Sequence, residues 1–116
     1  MTAFAPICNP SSCPWGVKAF SGYLGENNRE SWKDYDATEL VKQYKGPNLN
    51  VLIDQGLKDD FYHKKQLLPE HFALAANESG VGYTLRFQEG YDHGYYFISS
   101  FIGDHLEHHA KFLFAN

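Results

Sequence analysis

Three short apolar runs stand out from a largely polar chain: Ala3–Ile7, Leu49–Ile53 and Tyr83–Phe87. Each has the ordinary length of a strand, about five residues. Turn residues stop each one: Asn9-Pro10-Ser11-Ser12-Cys13-Pro14-Trp15-Gly16 after the first, Asp54-Gln55-Gly56 after the second, and Glu89-Gly90 after the third. Short apolar runs bounded in this way predict strands buried on both faces.

Helical periodicity fills the spaces between them. Asp36–Tyr44 begins with a capping aspartate, carries Glu39 three residues later and is closed by Gly46-Pro47. A second helix is predicted over Leu67–Glu78, with Pro69 in its first turn and Gly80 closing it. A third runs from about Gly94 to Leu113, with Ile98, Phe101, Ile102, His105, His109, Phe112 and Leu113 on one stripe. Strand and helix therefore alternate, which predicts a parallel sheet covered on both faces. Three parallel strands leave an open edge, and residue 3 already lies inside the first of them. The expectation is that residues 1–116 form the C-terminal portion of one larger domain.

Composition narrows the classes. With 43% hydrophobic and 16% aromatic residues, the chain has ample material for a packed core. A formal charge of −4 gives no electrostatic reason to expect nucleic acid or an anionic membrane as partner. No apolar stretch approaches the ~20 residues of a membrane span. The start of the chain lacks the basic residues of a signal peptide. Cys8 and Cys13 are the only cysteines and are expected to be reduced. A cytoplasmic location follows as the expectation.

The candidate chemistry lies just beyond the second and third strands. Asp59 follows one and His93 follows the other, so an acid and then a histidine come from successive loops at the carboxyl edge of the sheet. Their order is that of the last two members of a Ser-Asp-His triad. Asp54 and Asp60 compete with Asp59 for the acid. Asp54, at a strand end, is expected to cap its turn locally, and Asp60 is one residue out of place. Asp92 adjoins the base and suits a loop-structuring role better. No Gly-x-Ser-x-Gly elbow occurs, and Ser11, Ser12, Ser21 and Ser31 lack its flanking glycines. Cys8, in Ile7-Cys8-Asn9-Pro10, fails the same test. His105 and His109 stand four residues apart near His108, but without a His-Glu-x-x-His pattern they predict a packed or solvated helix face rather than a metal site.

Longer stretches are more specific. Ala3-Phe4-Ala5-Pro6-Ile7-Cys8-Asn9-Pro10, Cys13-Pro14-Trp15-Gly16, Lys18-Ala19-Phe20, Tyr23-Leu24-Gly25, Asp54-Gln55-Gly56, Gln66-Leu67-Leu68-Pro69, Gln88-Glu89-Gly90-Tyr91-Asp92-His93 and His108-His109-Ala110-Lys111 resemble the S-formylglutathione hydrolase (esterase D) family over essentially the whole chain. The resemblance implies an α/β-hydrolase fold, of which these residues form the last three parallel strands and their flanking helices. It implies hydrolysis of S-formylglutathione to formate and glutathione in formaldehyde detoxification, with no metal or organic cofactor, by enzymes that are commonly homodimers. Carried over by position, Asp59 is the acid and His93 the base, while the family's serine and upstream oxyanion loop have no counterpart here. Gly94 departs from the family, many of whose members have serine there. Trp15, with Phe20 and Tyr23, is expected in a loop walling the substrate pocket. Lys58, Lys64 and Lys65 are expected to be solvated. The rival reading is a non-catalytic binding or assembly module of the same fold.

Overall fold

The computed structural model describes residues 1–113. Its centre is β2 (Asn50–Gly56), flanked in parallel by β1 (Thr2–Phe4) and β3 (Gly82–Gln88) in the order β1-β2-β3. The helices are α1 (Pro14–Tyr23), α2 (Arg29–Trp32), α3 (Ala37–Lys42), α4 (Asp60–His63), α5 (Pro69–Ser79) and α6 (Tyr95–Leu113), with single 3-10 turns at Pro10–Ser12, Glu26–Asn28 and Lys33–Tyr35. Three parallel strands with helices between them stand where the alternation of apolar runs puts them.

Several boundaries differ, each for a physical reason. The first strand stops at Phe4 because Ala5 turns into the left-handed region with φ 44°. The second continues through Asp54-Gln55-Gly56, the residues read above as its stop. The side chains of Asp54 and Gln55 are buried and hydrogen-bonded, so polarity there does not mark a turn. The segment expected as a loop around Trp15, Phe20 and Tyr23 is α1. Its start is hidden because the cap is a cysteine: Cys13 Sγ accepts from Gly16 N at 3.3 Å, outside the usual Ser, Thr, Asp and Asn set. In α3 the signal is conventional, with Asp36 accepting from Thr38 N and Glu39 N. Pro69 begins α5 and Gly80, at φ 75°, ends it.

Alternation along β2 sorts its residues between two faces. Val51 and Ile53 pack with Cys8, Val41, Phe72, Ala75, Ala76 and Val81 beneath α3 and α5. The opposite face meets α6. There the register sets Phe4, Asp54 and Arg86 side by side on the three strands. Asp54 is completely buried and accepts from Arg86 Nε at 2.8 Å and Nη2 at 2.6 Å, from Gln88 Nε2 at 3.0 Å, and lies 2.6 Å from His105 Nε2. Burial alone would raise its pKa. The hydrogen bonds from Arg86, Gln88 and His105, together with the Arg86 charge, prevail and hold the carboxyl below its ordinary range. Asp54 is thus no local turn cap but the point at which β3 and α6 attach to β2.

The stripe on α6 is also rotated from its expected position. Phe97 and His105 are buried, whereas Ile98, Ile102, Phe112 and Leu113 are exposed. Phe4 explains the shift, since the Phe97 ring meets it edge-on at 5.6 Å and the His105 ring stacks on it at 3.8 Å. Further along, His108 Nε2 reaches Asn50 O at 2.9 Å and His109 Nε2 reaches Thr2 Oγ1 at 3.0 Å. The histidine tail therefore fastens α6 to the first residues of β1 and β2. Among the described residues, no helix is long and apolar enough to cross a membrane.

Candidate active site

The two loops that leave β2 and β3 at their carboxyl ends are tied together by backbone hydrogen bonds. Leu57 N donates to Gln88 O at 3.0 Å and Lys58 N to Tyr91 O at 2.8 Å. Gly56 permits this closeness, because a Cβ there would stand 2.3 Å from Tyr91 O and 3.0 Å from Asp92 O. Both obstacles are backbone, so Gly56→Ala must push the loop of residues 90–93 away. We expect it to cost about 1–3 kcal/mol, read as a lower denaturant midpoint, with amide shift changes concentrated at residues 57–58 and 90–93.

Asp59 is completely buried and opens α4 as its N-cap. Oδ1 accepts from Phe61 N at 2.8 Å and Tyr62 N at 3.2 Å, which anchors that one oxygen at the helix start. Oδ2 accepts from Gln55 Nε2 at 3.0 Å and lies 2.8 Å from His93 Nδ1. A carboxylate only accepts, so the neutral imidazole carries its proton on Nδ1 here and leaves Nε2 with its lone pair. The His93 side chain is 42% exposed. One wall beside it is aromatic: Phe61 meets its ring edge-on at 4.9 Å, and Trp15 packs on Phe61 at 4.9 Å. Trp15 itself is half exposed, its backbone N held by Gln66 Oε1 at 3.0 Å. Phe4, Ala5, His93, Gly94, Phe97 and Ile98 line a small cavity of ≈ 50 Å³ on the other side.

The other candidates are placed elsewhere. Asp60 is exposed on α4, and Asp54 serves Arg86 and His105 on the α6 face. Cys8 is buried, and desolvation, with Glu70 and Asp36 adding to it, pushes its thiol up to about 12. A thiol so protonated is a poor nucleophile. Cys8 and Cys13 are both free. Among the described residues no serine hydroxyl hydrogen-bonds His93; those of Ser31, Ser79, Ser99 and Ser100 are engaged with carbonyls of their own helical turns.

Two residues in contact with Asp59 and His93 are absent from the candidates that the sequence offers. Phe61 carries no motif and is found only through its ring contacts. Gln55 does carry a signal, since it is a polar residue directly following an apolar strand run at the edge where Asp59 and His93 converge. Its Nε2 also donates to Gly56 O at 3.1 Å, while its buried Oε1 has no partner among the described residues. A buried orphan acceptor costs about 1–3 kcal/mol, which the two bonds made by the amide nitrogen must offset.

A protein-family model described as "Putative esterase" matches residues 1–108. The chain is 57% identical over 115 residues to an S-formylglutathione hydrolase of Rattus norvegicus, covering 99% of this chain and 40% of that relative. It is 50% identical over 113 residues to one of Arabidopsis thaliana, covering 97% of this chain and 39% of that protein. The solved structure of an S-formylglutathione hydrolase from Agrobacterium tumefaciens superposes with a TM-score of 0.87 at 45% identity, over 95% of this chain and 39% of the other. The chain thus spans about 40% of the length of the curated relatives it matches. Over that span it has the α/β-hydrolase fold, with three parallel strands flanked by helices.

Proposed function

The chain belongs to the esterase family, and on that premise we propose that Asp59 and His93 are the acid and base of a serine thioesterase that hydrolyses S-formylglutathione. The observation that carries the reading is the 2.8 Å contact between His93 Nδ1 and a carboxylate otherwise buried and hydrogen-bonded. We read residues 1–116 as the C-terminal portion of a single α/β-hydrolase domain, with the nucleophilic serine supplied by polypeptide outside this sequence.

The chemistry follows from the two side chains. His93 Nε2 takes the serine proton as the hydroxyl attacks the formyl carbon, and Asp59 stabilises the imidazolium that forms. The tetrahedral oxyanion collapses with cleavage of the carbon–sulfur bond. Glutathione leaves as a thiolate, which with a thiol pKa of about 8.5 needs less help from an acid than an alcohol would; the thiolate then takes the proton from the His93 imidazolium, leaving His93 neutral. His93 then deprotonates water, which attacks the formyl ester; formate departs and the serine recovers its proton. Trp15 and Phe61 form the wall beside the imidazole and would contact the acyl or glutathionyl group. Two buried, unoxidised thiols suit a reducing cytoplasm. A homodimer is the assembly the S-formylglutathione hydrolase resemblance implies for the whole enzyme.

The test is a chimaera in which this chain replaces the matched 115 residues of the rat relative. It should hydrolyse S-formylglutathione and an activated ester, and lose both activities in the His93→Ala variant. Undiminished turnover in that variant would remove the assignment. His93-dependent turnover by the isolated 116-residue chain would show that the nucleophile is already present.

A further inference from the structure

We infer that Gln55 is a positioning residue for the acid–base pair, orienting Asp59 so that one carboxylate oxygen faces His93 (an inference that rests on the roles proposed above). Gln55 is completely buried at the penultimate position of β2, four residues before the acid. The two oxygens of Asp59 are held differently. Backbone amides of α4 secure Oδ1, while only two side chains meet Oδ2: Gln55 through Nε2 at 3.0 Å and His93 through Nδ1 at 2.8 Å.

The orientation of the amide is dictated by its neighbours. Gly56 O and Asp59 Oδ2 are both acceptors, so the NH2 group must face them; a flipped amide would set its oxygen against both. One strand-borne donor therefore spans the backbone of β2 and the oxygen that accepts the hydrogen bond from His93 Nδ1–H. Gln55 sits on a sheet ladder, whereas His93 hangs from a loop, so the rigid partner sets where Oδ2 points. Without that donor, Oδ2 keeps a single contact to a half-exposed ring. The carboxylate can then rotate about its bond to α4, and the Nδ1–H tautomer is no longer enforced.

The experiment reads the His93 tautomer in the isolated 116-residue chain by ring-nitrogen NMR at a pH where the imidazole is neutral. The native chain should show one Nδ1–H tautomer, with that proton exchanging slowly with water. Gln55→Met keeps length and apolar volume but removes the donor. It should give a mixture of both tautomers, and Nδ1–H exchange should become at least tenfold faster. Gln88→Met removes an amide of the same kind that serves Asp54 instead, and should leave the His93 signals unchanged. A native spectrum in Gln55→Met, alongside tautomer loss in Asp59→Asn, overturns the role of Gln55 and leaves the acid–base pair intact. Absence of the Nδ1–H tautomer in the native chain overturns both. Should Gln55→Met not fold, the native chain still decides: one side-chain amide proton of Gln55 must exchange slowly and lose that protection in Asp59→Ala. If it exchanges freely in the native chain, the inference fails.

Discussion

Asp59→Asn, introduced into the rat chimaera, is expected to lower kcat by about four orders of magnitude while leaving the fold in place. Asparagine is as good an N-cap as aspartate, so its oxygen keeps the bonds from Phe61 N and Tyr62 N that begin α4. What changes is the second position. An amide NH2 there donates toward His93 Nδ1, which then has to accept, and the proton moves to Nε2, the nitrogen that receives the serine proton in the proposed mechanism. Gln55 Nε2 is simultaneously left facing a donor. Asp59→Ala would mix this effect with loss of the cap, worth about 0.5–2 kcal/mol, and is the less informative variant. Circular dichroism of the asparagine variant should match the parent, and esterase turnover should collapse. Activity within tenfold of the parent would mean that some other acid orients the imidazole.

The largest effect on stability is expected at Asp54, remote from the chemistry. Asp54→Ala removes the acceptor shared by Arg86, Gln88 and His105, leaving a guanidinium and an imidazole facing an apolar gap. Breaking a buried ion pair costs about 3–5 kcal/mol. The lower end applies because Arg86 is one-third exposed and keeps a second partner in Asp104 at 3.1 Å. Urea denaturation of the chain should therefore show a loss near 3 kcal/mol, roughly a hundredfold in the folding equilibrium. The pH dependence has a definite sign. The Asp54 carboxyl is held below its ordinary value, so its contribution is complete above the unfolded pKa of about 4. It is lost as pH falls through the lower folded value. The parent should lose stability steadily below about pH 4, and Asp54→Asn should lack that part of the slope. An unchanged slope would show that other carboxylates control acid unfolding.

Local chemistry was legible where it obeyed common rules. Asp36 as a cap, Pro69 at a helix start, Gly80 at a helix end and the three apolar runs all appear where their residue types require. The reading failed where tertiary contacts override type. Asp54-Gln55 looks like punctuation but continues a strand, because Arg86 and Asp59 are waiting for those side chains. Cys13 gives no helix-start signal, since a thiol seldom caps. On α6 the stripe mixed His105 with exposed isoleucines, because a ring stack on Phe4, rather than periodicity, sets the helix rotation. At the site, Asp59 and His93 could be named from order and resemblance, but Gln55 and Phe61, which touch them, carry no motif and are found through the fold.

The crossings from Leu57 to Gln88 and from Lys58 to Tyr91 carry an engineering consequence. Neither turn is an independent module. Transplanting the aspartate turn or the histidine turn alone into a foreign scaffold would forfeit the mutual bracing, and the portable unit is both strands with both turns. Deletions at the crossings should spread from one turn to the other, and so should insertions at Glu89-Gly90, which lie between the braced carbonyls of Gln88 and Tyr91.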